Sequence, residues 1–274
     1  MIVVIIIKWL LHQNSFLQAA MQTAVTLRGV SVVGLPGDLA ATECQPVDSS
    51  LITYDMSSDI VLEQSWVERL SKWLNKANKI TIYCGIGAKD AHQEVVELSQ
   101  RLNAPVAYSF KSKMEIQYDN PNEVGMTGLL GMPSGYYSMH EAQILLLLGT
   151  DFPYTAFMPE DNIIVQVDIK ANRIGRRAKV DMGICGDVKS ILQTLLPHIK
   201  QKTDDSFLKE QLVGYRKVKQ HLLSYVRDRG DNNKIHPEYV MSEINSIAAE
   251  DAIFTVDTGM TCVWGARYLQ ATGK

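Results

Sequence analysis

A chain of 274 residues is long enough for two domains of average size, and an apolar content of 46% supplies a buried core, which excludes a disordered protein. Lys plus Arg number 27 against 30 Asp plus Glu, so no basic surface points to nucleic acid as a partner. Four cysteines, Cys44, Cys84, Cys185 and Cys262, lie scattered without CxxC spacing or a nearby His, which argues against a disulfide framework or a zinc site and for a reducing, cytoplasmic compartment.

The first residues, Met1 to Leu11, form an apolar run broken by Lys8. A bilayer span takes about 20 residues, and the charge and small-residue pattern of a signal peptide is missing, so the run is expected to be a buried strand or an aberrant start. From Asn14 the pattern turns helical, with Leu17, Met21, Ala24 and Leu27 on one face and Gly29 to end it. Val30 to Leu35 is a β-branched run that Pro36-Gly37-Asp38 stops. Residues 1–39 therefore read as the tail of one domain and residues 40–62, rich in Thr, Ser, Asp and Pro, as a linker.

A helix with Trp66, Leu70, Trp73 and Ala77 on one stripe opens the next domain, residues 63–200. Strand Ile80 to Cys84, helix Ala88 to Leu102 and strand Pro105 to Tyr108 follow; after a long loop come a helix over Tyr136 to Ala142 and apolar strands over Ile144 to Leu148 and Ile163 to Val167. Val180 to Cys185 offers another strand and Val188 to Ile199 a closing helix. Strands apolar on both faces, alternating with helices, predict an α/β fold with a doubly wound, mainly parallel sheet. Residues 201–233 read as a charged helix over Ser206 to Arg227 and a linker; residues 234–274 begin a further unit, with a helix over Pro237 to Ala249 and a strand over Ala252 to Val256.

The chemistry should sit at the carboxyl ends of the central strands. Gly85-Ile86-Gly87, with Ala91 beyond, has the pattern G-x-G-x-x-x-A, which lets a phosphate approach backbone N–H groups at a helix start or simply makes a tight turn. An NAD site would place an acid after the second strand, and Val106-Ala107-Tyr108 brings none. Asp168 does end a strand, where it can hold a ribose or cap the turn before Ala171. Thr127-Gly128-Leu129-Leu130-Gly131 and Gly149-Thr150-Asp151-Phe152-Pro153-Tyr154 are the other two loops, and Phe152 and Tyr154 can border a ring system or pack core. Asp257-x-Gly259 is read as a plain turn and His92 as a surface residue; no catalytic or metal-ligating set is assigned.

Several strings in this chain resemble the pyruvate oxidases and quinone-dependent pyruvate dehydrogenases. They are Arg28 to Val33 with Leu35 to Asp38, Tyr118 to Pro121, Val124 to Leu129, Leu147 to Thr150 with Phe152 to Tyr154, Lys179 to Met182, and Asp251 to Thr255 with Val263-Trp264. The resemblance runs from Asn14 to Lys274 and implies the end of a pyrimidine-side thiamine diphosphate domain, a whole central FAD domain and the start of a diphosphate-side domain. It implies FAD contacts at Thr127 to Leu130, Thr150 to Tyr154 and Asp168, with Gly85 and Gly87 close by. For the complete enzyme it implies decarboxylation of pyruvate on thiamine diphosphate and Mg²⁺, with electrons passed through FAD to a quinone. The family's activating glutamate, its Gly-Asp-Gly…Asn metal motif and its membrane-binding tail have no counterpart in this sequence. A truncated, homo-oligomeric, poorly soluble chain without turnover of its own is the expectation. The alternatives are an oxygen-using pyruvate oxidase or acetolactate-synthase-like fragment, and a non-catalytic nucleotide-binding module.

Overall fold

The computed structural model describes residues 2–6, 13–27, 29–43, 64–152, 154–227 and 234–274, and divides into two units, Met1–Asp59 and Ile60–Lys274. In the first, the N-terminal apolar run forms strand β1 (Ile2–Ile6), followed by helix α1 (Gln13–Thr26), strand β2 (Val30–Gly34) and the short helix α2 (Gly37–Ala40). The two strands pair in parallel from Ile2 opposite Val30 to Ile6 opposite Gly34, so the helix is the crossover that parallel pairing requires. Most of the expected linker, residues 44–62, lies outside the described residues, as do residues 228–233 of the second.

The second unit begins with helix α3 (Gln64–Lys76), and then alternates. Its strands are β3 (Ile80–Cys84), β4 (Val106–Tyr108), β5 (Glu123–Met126), β6 (Ile144–Leu148), β7 (Ile163–Asp168) and β8 (Met182–Cys185). Between and after them lie the helices α4 (His92–Leu102), α5 (Lys113–Ile116), α6 (Pro133–His140), α7 (Val188–Leu195), α8 (Ser206–Leu223), α9 (Pro237–Ile247) and α10 (Met260–Tyr268). All six strands are parallel, in the order β5-β4-β3-β6-β7-β8. The fold is therefore the doubly wound α/β sheet that the alternation predicts, with the direction of winding reversing between β3 and β6.

Period-two alternation sorts each strand between two cores. Ile80, Ile82, Cys84, Leu146, Leu148, Val165 and Val167 face one side, where α3, α4 and α7 bury Leu70, Leu74, Val95, Leu98, Ile191 and Leu192 against them. Tyr83, Leu145, Leu147 and Ile164 face the other, covered by Met139 of α6 and Tyr215 of α8. Burial on both faces is why β3 and β6 read as unbroken apolar runs.

Five expectations need correction. The helix expected from Ala88 starts at His92, because a 3₁₀ turn over Ile86–Ala91 precedes it. Within the expected long loop lies β5, short and charged at its start, whose pairing with β4 slips between Val106 and Ala107. α7 stops at Leu195 and continues as a 3₁₀ turn over Leu196–His198, where Pro197 has no N–H to continue the helix. Ala252 to Val256 is not a strand, since among the described residues no strand pairs with it, and Ile253 is 92% exposed. Finally, α10 forms where no helix was expected, begun by the turn at Asp257 to Gly259, in which the Asp257 carboxylate accepts the Thr258 N–H at 2.8 Å.

Candidate functional site

Five loops leave the sheet at the carboxyl ends of β3, β4, β5, β6 and β7 and surround a cavity of about 530 Å³, a size that suits part of a nucleotide cofactor. It opens at the point between β3 and β6 where the winding reverses, where ligands of open α/β sheets bind.

The floor is built by backbone. Gly85 N–H donates to Leu148 O at 2.8 Å and Gly87 N–H to Gly149 O at 2.9 Å, so the loops after β3 and β6 touch. A Cβ on Gly85 would stand 2.4 Å from Gly149 O and 2.6 Å from Thr150 Cα. The two glycines exist for this close approach, and both their N–H groups are spent on it. Of the two readings of the G-x-G turn, a phosphate cradle or a tight turn, these bonds agree with the tight turn.

The loop after β5 carries the clearest sign of a ligand. Thr127 is buried against the cavity, its N–H donating to Tyr108 O at 3.1 Å, yet its Oγ1 has no hydrogen-bond partner. Buried polar atoms are satisfied in folded proteins, so an orphan hydroxyl at a cavity wall asks for a group that enters the cavity. Gly128 follows with φ +109°, a value that favours glycine, and a Cβ there would press on the Phe152 ring at 3.0 Å.

Apolar and aromatic groups line one part of the cavity: Ile86, Phe110, Leu129, Leu130, Phe152 and Tyr154. Phe152 and Tyr154 meet edge to face with ring centroids 5.4 Å apart. The other part is cationic. Asp151 pairs with Arg176 and Arg177 at 3.2 Å each and with Arg173 at 3.9 Å, and Lys111 stands on the same lining. Arg173, Arg177 and Lys111 against the one Asp151 carboxylate leave an excess of positive charge on the lining, suited to an anionic group.

Of the residues nominated from sequence, Gly85, Thr127, Gly128, Leu129, Leu130, Thr150, Asp151, Phe152 and Tyr154 line this one cavity. Gly87 supports it from beneath, and Pro153 lies outside the described residues. Asp168 stands at the end of β7, 2% exposed and outside the lining; its Oδ1 accepts the Lys170 N–H at 2.8 Å, a local turn bond, while the 3₁₀ turn over Ala171–Arg173 has Lys170 as its N-cap and no side-chain cap, and burial raises the Asp168 pKa. His92, taken as a surface residue, is half-buried, its ring stacked on Tyr118 with centroids 3.9 Å apart. Sequence reasoning missed Lys111, Arg173 and Arg177, although the cluster Arg173, Arg176, Arg177 after a strand-ending aspartate was a usable signal. Among the described residues no group of three or more His, Cys, Asp or Glu converges as a metal site, and no helix is long and apolar enough to cross a membrane.

A parallel sheet wound in both directions, with an amphipathic cavity at its switch point, defines a dinucleotide-fold type of α/β domain. Residues 67–195 match the family model described as thiamine pyrophosphate enzyme, central domain. An uncharacterized 42.6 kDa protein in the isoamylase 3' region of Pseudomonas amyloderamosa is 42% identical over 207 residues, 75% of this chain and 52% of that protein. A putative thiamine pyrophosphate-containing protein YdaP of Bacillus subtilis is 29% identical over 93% of this chain and 44% of its own length. Pyruvate oxidase of Lactiplantibacillus plantarum is 24% identical over 92% of the chain and 42% of the enzyme. Proteins named acetolactate synthase and sulfoacetaldehyde acetyltransferase align as well. The chain spans about half the length of the curated relatives it matches.

Proposed function

We propose that this chain provides the FAD-binding part of a thiamine-diphosphate-dependent enzyme that oxidatively decarboxylates pyruvate and passes the electrons to a quinone. The observation that carries the reading is the orphan Thr127 Oγ1 on a cavity that joins an aromatic, apolar wall to a cationic one. A dinucleotide with a flat ring system and a diphosphate has that same division. FAD, when bound, supplies two-electron acceptance; this chain's residues bind and orient it. The Thr127 hydroxyl offers one hydrogen bond, Phe152 and Tyr154 pack against a ring, and Lys111, Arg173 and Arg177 attract the diphosphate while Asp151 holds the arginines in place. NAD fits less well, since β4 ends in Tyr108 with no acid after it to take the ribose. For Mg²⁺ the described residues offer no converging donor set, so no step is drawn through it.

Calorimetric titration of the purified chain with FAD, NAD and ADP tests the proposal. FAD is expected to bind at least tenfold more tightly than NAD, and Thr127→Val to weaken FAD by about tenfold, the worth of one hydrogen bond in a desolvated site. Equal affinity for NAD, or no effect of Thr127→Val, overturns it. An acetolactate-synthase-like activity is favoured by the relatives of that name. The two part at the flavin of the full-length enzyme, which pyruvate bleaches in an oxidase and leaves oxidised in a synthase.

A further inference from the structure

The cavity loop Thr127 to Gly131 is held at its base by backbone: Thr127 N–H donates to Tyr108 O at 3.1 Å and Met132 N–H to Met126 O at 2.8 Å. Its far end is held from another element. Arg267, in the last turn of α10, donates through Nε to Leu130 O and through Nη2 to Gly131 O, each at 3.3 Å. The guanidinium is a planar fork with fixed donor directions, so two adjacent carbonyls held by one Arg fix the orientation of the peptide between them as a single point charge would not.

The turn of α10 that carries Arg267 is itself anchored. Gly265, Ala266 and Tyr268 are buried, Ala266 within the same apolar core as β3 and β6. The Tyr268 hydroxyl donates to Leu222 O at 3.0 Å at the end of α8, and Lys113 Nζ donates to Leu269 O. Arg267 therefore extends from a fixed base, and a fixed base is what lets it transmit position to the loop.

We propose that Arg267 is a positioning residue: it holds the Thr127 to Gly131 loop in its cavity-facing shape and makes the docking of α10 a condition of a complete cofactor site. The part of this inference that concerns cofactor affinity rests on the FAD reading above; the part that concerns loop order does not.

The experiment is amide hydrogen exchange over residues 127–132 without ligand, in the wild type, Arg267→Ala, Arg267→Lys and Tyr268→Phe. The reporters are the amides of Gly131, bonded to Gly128 O at 2.9 Å, and Met132. Arg267→Ala should raise their exchange rate by about tenfold, on the order of one charge-assisted hydrogen bond, and Arg267→Lys should restore part of the protection. Tyr268→Phe removes one anchor of the same helix but no bond to the loop, and should raise the exchange of these amides by less than Arg267→Ala does. FAD dissociation constants should rise in parallel, about tenfold for Arg267→Ala and little for Tyr268→Phe. Unchanged exchange in Arg267→Ala overturns the proposal, as does an equal rise in Tyr268→Phe, which would mean general loosening of α10. If the wild type proves unable to bind FAD, the FAD reading fails while the exchange result still decides the role of Arg267.

Discussion

Lys113 gives a pH dependence that can be worked out with its sign. It lies in α5, 3% exposed, with Nζ donating to Gln117 Oε1 at 2.8 Å and to Leu269 O. Burial lowers its pKa from 10.5 to about 8; the nearby Glu123 carboxylate opposes that shift and the Lys219 ammonium adds to it. Between these two values the unfolded chain holds the proton and the folded chain has lost it, so stability rises with pH across the window. Each pKa unit is 1.36 kcal/mol, which puts the whole effect at about 3 kcal/mol and the part between pH 7 and 9.5 at roughly 2 kcal/mol. Buried Tyr83, Tyr215 and Cys84, whose pKa values burial raises, pull the other way above pH 9. The comparison with Lys113→Met cancels them, because the thioether matches the stem in size and carries no proton. Urea denaturation of both proteins at several pH values gives the difference in stability. That difference should shift by roughly 2 kcal/mol in favour of the wild type between pH 7 and 9.5. A flat difference across that range would refute the assignment of a depressed lysine at this joint.

Two further substitutions test the local arguments. Gly85→Ala should destabilise by about 3 kcal/mol through overpacking against Gly149 and Thr150, whereas Gly214→Ala in α8, where a Cβ meets nothing within 4 Å, should stabilise by about 0.5–1 kcal/mol; the order of the two denaturation midpoints is the check. Asp187→Ala removes the carboxylate that accepts the Ser190 N–H at 3.0 Å at the start of α7 and should cost about 1 kcal/mol, with Asp187→Asn restoring most of it; an unchanged midpoint would mean that the cap contributes nothing.

The parts of the fold that were legible in the sequence are those whose burial is uniform. β3, β6 and β7 are apolar on both faces, and a run such as Ile144 to Leu148 leaves little room for another reading. β5 was not legible because Glu-Val-Gly-Met carries no period; Glu123 stays in the strand because Tyr108 and Tyr215 donate to its carboxylate at 2.5 and 2.8 Å, a contact made by residues 15 and 92 positions away. Ala252 to Val256 misled for the converse reason, since a β-like composition forms a strand only beside another strand. At the site, the end of the apolar strand β6 placed its loop on the cavity, and the glycines flanking Leu129-Leu130 nominated the loop after β5. The arginine cluster of the cationic side was present in the sequence, but its place on the cavity beside Lys111 depends on the loops after β4 and β7 converging. The role of Arg267 could not have been read from a position more than 130 residues from the carbonyls it holds.

The contact between Gly85 and Gly149 also sets where this domain can change its ligand. Main chain meets main chain there, so the floor of the cavity offers selection almost no side chain to vary, and a substitution that adds a Cβ is removed for its effect on folding before its effect on binding is felt. The editable positions are at the rim, at Lys111, Leu129, Tyr154 and Arg177, whose side chains border the cavity without supporting the sheet. Domains of this kind can therefore keep one floor through long divergence while their rims drift from one cofactor to another, and the rim is where their ligands should be read.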